Sequence, residues 1–203
     1  MTTLLSTTYF GPVQWYQKLY RSDEVLIEQW ESFQKQTYRN RCLIATTNGI
    51  QALTVPIERN NGQYIKDIRI SDHGNWRHLH WNALQSAYGE SPFFDYYQDD
   101  IRPFFEKRWT FLLDFNEDIR QKVCELIDIQ PVVGYTKAFV NHGDCAHDLC
   151  DFREGIQPKH PAPDPDFVPK PYYQVYQQKH GFLANLSILD LLFDMGPESI
   201  FYL

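Results

Sequence analysis

The first 27 residues constrain the fold most, because a strand, a turn, a helix and a second strand follow one another directly. Residues 3–10 are rich in β-favouring Thr, Leu, Tyr and Phe, and Gly11-Pro12 then supplies a turn with a proline suited to the first turn of a helix. Apolar residues recur at helical spacing from Val13 to Tyr20, and a short apolar run follows at 24–27. This pattern predicts a β-α-β unit.

Two β-rich runs come next, over residues 38–46 and 50–57. The Asn48-Gly49 pair between them is the strongest short-range signal for a hairpin. In residues 64–70 apolar side chains alternate with charged ones. We expect an antiparallel hairpin and, after it, a half-exposed strand at 64–70.

The rest of the chain is predicted to be mostly helical. Asn, Ser or Pro signals begin helical patterns at about 75–88, 93–107 and 116–129. Residues 132–140 are again β-like, and a last helix is predicted from Ser187 to Phe193.

These patterns predict an α/β fold with a mixed sheet, in which the N-terminal strand-helix-strand and the β-hairpin are followed by a helical region. Residues 158–171 hold six of the 12 prolines and are expected to form a long loop. The residues after this loop are too few to hold a core of their own. We therefore expect a single domain over residues 1–203.

The charge of the chain and the motifs that it lacks exclude several functional classes of protein. The 19 Lys and Arg residues against 26 Asp and Glu give a formal charge of −7, which disfavours nucleic acid as a partner. The chain has no long apolar run and no secretory signal, so we expect a soluble cytoplasmic protein with no membrane span and with its four cysteines reduced. P-loop, Rossmann, nucleophile-elbow and zincin motifs are missing, and we expect no cofactor.

Positive charge is concentrated just before the hairpin. If residues 33–41 are extended, Lys35, Arg39 and Arg41 lie on one face. Like charges so arranged repel one another. The face therefore implies acidic side chains from elsewhere in the fold, a solvated edge, or an anionic ligand such as a carboxylate or phosphate.

Two histidines lie in the first helix predicted for the middle of the chain. His78 and His80 point apart on a helix, so they do not form a metal pair. Either imidazole can act as a general acid or base when a substrate proton lies within hydrogen-bond reach. The alternative is a partly buried histidine bonded to the backbone.

A third pattern offers metal ligands, because His142, Cys145, His147 and Cys150 are donors of the types that tetrahedral zinc takes. All four lie within nine residues, which would need a tight knuckle. Neighbouring aspartates also make the stretch resemble a solvated acidic turn. The sequence leaves both alternatives open, and we assign no metal site from it.

Several short segments occur in the order and spacing of one protein family. They are Tyr9-Phe10-Gly11-Pro12, Phe33-Gln34-Lys35 leading to Asn40-Arg41, Leu53-Thr54-Val55-Pro56-Ile57, Trp76 with His80, and residues 186–193. On these segments the chain resembles the WbqC-like protein family over most of its length. The family's usual opening is a His-Gln-Pro run, whereas this sequence has Ser6-Thr7-Thr8 and lacks the histidine.

The resemblance implies a cytoplasmic transferase that adds a small acyl or aminoacyl group to a nucleotide-activated or lipid-linked sugar in surface-polysaccharide biosynthesis. Its partners would be small molecules, a nucleotide-sugar or an acyl donor. The alternative is a non-catalytic binding protein for an anionic small molecule or a protein partner. The metal-stabilised structural domain is a third hypothesis.

The family segments and the residue patterns coincide at four positions. Lys35 and Arg41 are expected to hold a phosphate or carboxylate of the substrate, and Asn40 to orient a polar group. His80 is the expected catalytic base for an amine or hydroxyl acceptor.

Two further residues, Gln14 and Tyr9, lie near the predicted end of the first strand. Open α/β sheets bind ligands beyond the ends of their strands. We therefore expect Gln14 and Tyr9 to line the same substrate pocket.

Overall fold

The computed structural model describes residues 1–58, 62–141 and 148–203, which form an α/β fold. The strands are β1 (Thr2–Ser6), β2 (Glu24–Glu28), β3 (Arg41–Thr46), β4 (Gly49–Thr54), β5 (Val133–Tyr135) and β6 (Leu149–Asp151). The α-helices are α1 (Val13–Arg21), α2 (Trp76–Tyr88), α3 (Phe94–Ile101), α4 (Pro103–Glu106), α5 (Leu112–Leu126), α6 (Gln177–His180) and α7 (Ile188–Met195).

A parallel sheet of four strands, in the order β5-β2-β1-β6, is the larger of the two sheets in the described residues. Thr2 of β1 is paired with Glu24 of β2 on one side and with Leu149 of β6 on the other. Leu4 and Leu5 of β1 are fully buried, as is typical of a central strand in a parallel sheet. Because all four strands run the same way, their carboxyl ends meet at one edge.

The predicted β-α-β unit is confirmed, since α1 begins directly after Pro12 and connects two parallel neighbours. Val13, Tyr16 and Leu19 of α1 are buried. A Cβ atom at Gly11 would lie 2.4 Å from the Thr8 hydroxyl oxygen. Glycine is therefore needed here for the chain to pass so close to the end of β1.

The predicted hairpin is also confirmed. β3 and β4 pair antiparallel, from Arg41 opposite Thr54 to Thr46 opposite Gly49. Gly49 has a φ of 103°, a conformation that glycine adopts without strain. The hairpin forms a two-stranded sheet separate from the parallel one.

The prediction of a strand at 64–70 was wrong. Ile65–Asp67 form a 3-10 turn, and isolated bridges follow, between Ile57 and Ile70 and between Arg69 and Phe111. Ile65 and Ile68 stand three residues apart, so one turn of 3-10 helix brings both side chains to the interior, where each is at most 2% exposed. An apolar pattern of this length fits a tight turn as well as a strand.

The helical region is present, with boundaries that differ from those predicted. The single helix expected at 93–107 is divided into α3 and α4 at Pro103, whose missing N–H and fixed φ favour the first position of a new helix. α5 begins at Leu112, four residues before the predicted start. In the described parts of the chain, no helix has both the length and the apolar character to cross a membrane.

The C-terminal part packs back against the N-terminal part. Ser187 caps α7, because its Oγ accepts a hydrogen bond from the Leu189 backbone N–H at 3.3 Å. The proline-rich residues 158–171 contain no helix or strand and reach α1, where Asp164 pairs with Lys18. The single-domain organisation stays a prediction.

Helix α7 carries two buried carboxyl groups on successive turns. Asp190 accepts hydrogen bonds from the Tyr88 and Tyr172 hydroxyls at 2.8 and 2.7 Å and from the Gln174 side-chain amide at 2.7 Å. Asp194 is 3% exposed, and its carboxyl oxygens have no hydrogen-bond partner among the described residues. Burial and the charge of Asp190 raise the pKa of Asp194 to about 8.

Candidate functional site

Polar and charged side chains gather where the parallel strands end. Ser6, Glu28 and Asp151 are the last residues of β1, β2 and β6, and Thr136 directly follows β5. We call this side of the sheet the carboxyl edge. Ligands of open parallel sheets bind at this side, so it is the first place to seek a functional site.

A buried ion pair joins Arg39 to Glu31 at the carboxyl edge. Arg39 donates from Nε to Glu31 Oε1 at 2.8 Å and from Nη2 to Oε2 at 2.5 Å, which is a bidentate arrangement. Arg39 Nη2 also donates to Ser6 Oγ at 2.8 Å. Since Arg39 is only 2% exposed, its charge is neutralised inside the protein by an acidic side chain, as one of the sequence alternatives supposed.

A second buried arginine, Arg153, lies beside the first pair. It donates to both carboxylate oxygens of Asp151, at 2.9 and 2.7 Å, and its Nη1 lies 3.4 Å from Glu28 Oε2. The Thr136 hydroxyl donates to Glu28 Oε1 at 2.7 Å. Burial alone would lower the pKa of Arg153, but the hydrogen bond and charge of Asp151 outweigh it and raise this pKa. Both arginines are therefore buried and held by carboxylates at the carboxyl edge.

A cleft of about 380 Å³, the first cleft, opens at the carboxyl edge. Its walls combine three aromatic side chains with amides, acids and one arginine. Its lining residues are Trp30, Glu31, Ser32, Gln34, Gln63, Tyr64, Phe139, Arg153 and Glu154. Such a mixture of flat apolar faces and hydrogen-bonding groups suits a polar ligand with an apolar face.

A second cleft, of about 460 Å³, adjoins the first, and Glu154 lines both. It lies between the start of α1, the residues after β6 and the proline-rich loop. Its lining residues are Gln14, Asp151, Phe152, Glu154, Gly155, Ala162, Pro163 and Asp164. The connection that leaves β1 and the segment that leaves β6 diverge here, which is the place in a parallel sheet where ligand crevices form.

Gln14 is a predicted site residue that lines the second cleft. Its Nε2 donates to Asp164 Oδ2 at 2.9 Å, and the same oxygen accepts from Lys18 Nζ at 2.6 Å. Burial alone would raise the pKa of Asp164, but the hydrogen bonds from Lys18 and Gln14 outweigh it and lower this pKa. Gln14 thus joins the start of α1 to the proline-rich loop at the second cleft.

Tyr9 and His80 are brought together, but in the interior. Tyr9 Oη lies 2.9 Å from His80 Nδ1, Tyr9 is fully buried and His80 is 6% exposed. Trp76 and Phe105 pack around the imidazole. Burial lowers the pKa of His80 to about 4, so the ring is neutral at pH 7. Neither residue lines the first or the second cleft, and the catalytic role of His80 stays a prediction.

Lys35, Arg39 and Arg41 do not share the cationic face expected of an extended backbone, since Lys35 is exposed and Arg39 is buried. Residues 33–40 form turns and irregular backbone, so the alternation expected of an extended strand was wrong. Lys35 is exposed, Asn40 Nδ2 donates to the Val55 carbonyl at 2.8 Å, and Arg41 Nε donates to Thr54 Oγ1 at 3.0 Å. The substrate contacts expected of these three residues stay predictions.

The pattern of metal ligands falls mostly outside the described residues, which exclude His142, Cys145 and His147. Cys150 lies in β6 with its backbone paired to Thr3. Among the residues that the structure describes, no three His, Cys, Asp or Glu side chains are grouped to hold a metal ion.

Sequence reasoning missed the acidic groups of the carboxyl edge and the partner of Arg39. Glu28 follows the apolar run at 24–27 directly and Glu31 comes three residues later, and a polar residue just after a buried strand is the signal that could have found them. Asp151 ends β6 and Arg153 follows it, and the sequence pattern did not predict this strand of three residues.

The fold and its edge define an α/β protein with adjoining clefts at the carboxyl ends of a parallel sheet. The sequence profile of the WbqC-like protein family matches residues 7–154, and the chain belongs to that family. The matched segment contains all the described residues that line the first cleft.

The chain is also 28% identical over 206 residues to Uncharacterized protein Rv1507c of Mycobacterium tuberculosis (strain ATCC 25618 / H37Rv), an alignment that covers 89% of this chain and 87% of that protein. No solved structure matches the chain.

Proposed function

We propose that this protein is a cytoplasmic transferase that adds a small acyl or aminoacyl group to a sugar in surface-polysaccharide biosynthesis, and that it does so at the carboxyl edge. The observation that carries the proposal is the pair of adjoining clefts with Glu154 in the wall of both. A group transfer needs two substrates held with their reacting atoms in contact. Two clefts that share a wall residue provide that arrangement.

The first cleft is the proposed sugar site. Trp30, Tyr64 and Phe139 offer aromatic surface to the apolar face of a sugar ring, and Phe139 is 45% exposed. The side-chain amides of Gln34 and Gln63 supply donors and acceptors for hydroxyl groups. Arg153, which lines this cleft and is held by Asp151, adds a positive charge that can orient the ligand.

The second cleft is the proposed site of the activated acyl donor. In the transfer, an amino or hydroxyl group of the sugar attacks the carbonyl carbon of an acyl thioester. The bond from that carbon to sulfur breaks, the thiolate leaves, and the attacking group loses its proton. The exposed Glu154 lines both clefts and is placed to accept this proton, whereas His80 is the base predicted from the sequence.

Turnover with a defined substrate panel tests the proposal. Purified protein is incubated with uridine and thymidine diphosphate-sugars that carry free amino or hydroxyl groups, together with acyl-coenzyme A thioesters. The expected result is a sugar heavier by one acyl group and an equal amount of free thiol. Glu154→Gln and His80→Gln are assayed in parallel, and loss of a general base is expected to lower the rate by roughly 10²- to 10⁴-fold.

A binding measurement tests whether the sugar binds in the first cleft. Phe139→Ala is expected to weaken binding of the sugar substrate, because it removes aromatic surface from the first cleft. Phe201→Ala is the matched control, since Phe201 is 71% exposed and lies outside both clefts. Equal affinities for the two variants would contradict the first cleft as the sugar site.

A non-catalytic binding protein, for an anionic small molecule or a protein partner, is the second candidate. The observation that favours it is that Arg39 and Arg153, and the carboxylates of Glu31 and Glu28, already bind one another at the carboxyl edge. Groups held in this way can orient a ligand more readily than they can exchange protons with it. Saturable sugar binding without thiol release would support this candidate and contradict the transferase.

A further inference from the structure

A cavity of about 380 Å³ lies at the start of α2, and it shares no lining residue with the first or the second cleft. Three arginines, Arg77, Arg102 and Arg108, line this arginine cavity together with two acids, Asp72 and Glu106. The lining charges therefore leave one positive charge in excess, although the whole chain carries a formal charge of −7. A local excess of positive charge attracts anions to this cavity even though the whole protein is acidic.

Arg77 is the central group of the arginine cavity. Its side chain is 13% exposed, its Nη1 donates to Asp72 Oδ1 at 2.6 Å, and its guanidinium lies over the Trp76 ring at 4.6 Å. Arg77 Nε and Nη2 are buried and have no hydrogen-bond partner among the described residues. Buried donors without acceptors are costly, and a rotation of the Arg77 side chain that turns Nε and Nη2 into the cavity would let a ligand supply the acceptors.

The two unpartnered nitrogens of Arg77 also specify the ligand's geometry. Nε–H and Nη2–H point in parallel from one edge of the planar guanidinium, and that edge binds two oxygens of one phosphate or carboxylate group. Arg77 lies in the first turn of α2, where the helix dipole favours negative charge. Within the described chain, Asn75 makes no side-chain capping bond to this helix.

The remaining walls indicate the size of the ligand. Arg102 and Arg108 are exposed and can move, with Arg102 Nε 2.6 Å from Glu106 and Arg108 Nη1 3.7 Å from Asp72. Trp81 and Phe105 add an apolar wall. A volume of about 380 Å³ exceeds that of one phosphate group and is within the range of small-molecule sites.

We propose that the arginine cavity binds the phosphate group of a small organic phosphate, with Arg77 as the bidentate ligand and with Arg102 and Arg108 closing on the anion. This binding site is separate from the clefts of the proposed transferase, and the proposal for it does not rest on the transferase function. Its occupant is recognised by its phosphate group, and the apolar wall receives the organic part.

Calorimetric titration with uridine monophosphate, uridine, pyrophosphate and inorganic phosphate tests this site. Uridine monophosphate is expected to bind and uridine is not, because the phosphate supplies the charged contacts. Arg108→Gln is expected to weaken binding of uridine monophosphate by about tenfold, the effect of one charge-assisted hydrogen bond. The matched control is Arg21→Gln, which makes the same change of charge at an exposed residue outside the cavity.

Arg77→Lys separates geometry from charge, since lysine keeps the charge but lacks the two parallel donors. It is expected to weaken binding at least as much as Arg108→Gln, and circular dichroism checks that it is folded. Absence of binding by uridine monophosphate, pyrophosphate and phosphate at about 10 mM would overturn the proposal. Equal binding of uridine, or equal losses in Arg21→Gln and Arg108→Gln, would also overturn it.

Discussion

Tyr9 Oη lies 2.9 Å from His80 Nδ1, so a buried hydrogen bond joins residues that are 71 positions apart in the sequence. Tyr9 belongs to the connection between β1 and α1, and His80 belongs to α2. The bond therefore fixes the helical region against the end of the central strand. It is a structural contact at two residues that the sequence places in a substrate pocket.

Tyr9→Phe is expected to destabilise the fold by about 1–3 kcal/mol, because it leaves the buried His80 Nδ1 without its partner. The free energy of unfolding in urea measures this effect. Tyr96→Phe is the control, since Tyr96 is 72% exposed and its hydroxyl should contribute little. Sugar binding that fails in Tyr9→Phe while stability is unchanged would show that Tyr9 contacts the substrate instead.

His80 makes stability depend on pH in the acid range. Burial lowers its pKa from 6.5 to about 4, so between these values the unfolded chain binds more protons than the folded one. Stability should therefore fall as the pH falls from about 6.5 to about 4. Urea midpoints across this range are expected to change less in His80→Gln than in the wild type. The exposed His73→Gln should follow the wild-type curve.

Asp194 has the opposite effect. Burial and the charge of Asp190 raise its pKa from 3.8 to about 8, so the folded protein keeps a proton that the unfolded chain releases. The free energy of unfolding is therefore not reduced by this group below about pH 4, and it falls as the pH rises from about 4 towards 8. Asp194→Asn cannot ionise and should lose less stability than the wild type between pH 5 and pH 8, as measured in urea. The exposed Asp95→Asn should decline in parallel with the wild type, and the same decline in Asp194→Asn would contradict the assignment.

Substitution of only one partner of the Arg39–Glu31 pair should destabilise the protein strongly. Glu31→Gln leaves the buried guanidinium of Arg39 without its counter-charge and is expected to cost about 3–5 kcal/mol of stability. The exposed Arg102–Glu106 pair gives the matched control, because Glu106→Gln should cost about 1 kcal/mol or less. Equal losses at the two pairs, measured by urea unfolding, would mean that burial of Arg39 does not matter.

Asp164 is expected to hold the proline-rich loop against α1. Asp164→Asn weakens the buried contact with Lys18 and should increase cleavage within residues 158–171 during limited proteolysis. Asp166→Asn is the nearby control, because only the backbone carbonyl of Asp166 receives the bonds from Gln17 and Arg21. The same rate of cleavage in Asp164→Asn and wild type would contradict this role.

Local signals in the sequence predict much of the fold. Asn48-Gly49 predicts the hairpin, and Gly11-Pro12 predicts the passage from β1 to α1, because turn chemistry acts over a few residues. β6 is harder to predict, since three residues carry too little periodicity to be distinguished from a loop. Its place beside β1 is decided by packing across the whole chain.

The candidate site is less predictable for the same reason. Arg39 meets Glu31 because the irregular connection between β2 and β3 folds back on itself beside Ser6, the last residue of β1. In the sequence, Arg39 stands among other cations and its acidic partner is not evident. Gln14 was predicted at the end of the first strand and lines the second cleft there. The predicted place of Lys35 on a cationic face depended on an extended backbone, which the chain does not adopt.

The position of β6 at the outer side of the sheet also affects how the protein folds while it is being synthesised. β1 leaves the ribosome before β6, so it gains its second neighbour only after residues 149–151 have been synthesised. Until then one side of the central strand presents free backbone N–H and C=O groups to any nascent chain nearby. Translation that stops before β6 should therefore release chains prone to edge-to-edge aggregation, and completion of the sheet is expected to be a late event in biosynthesis.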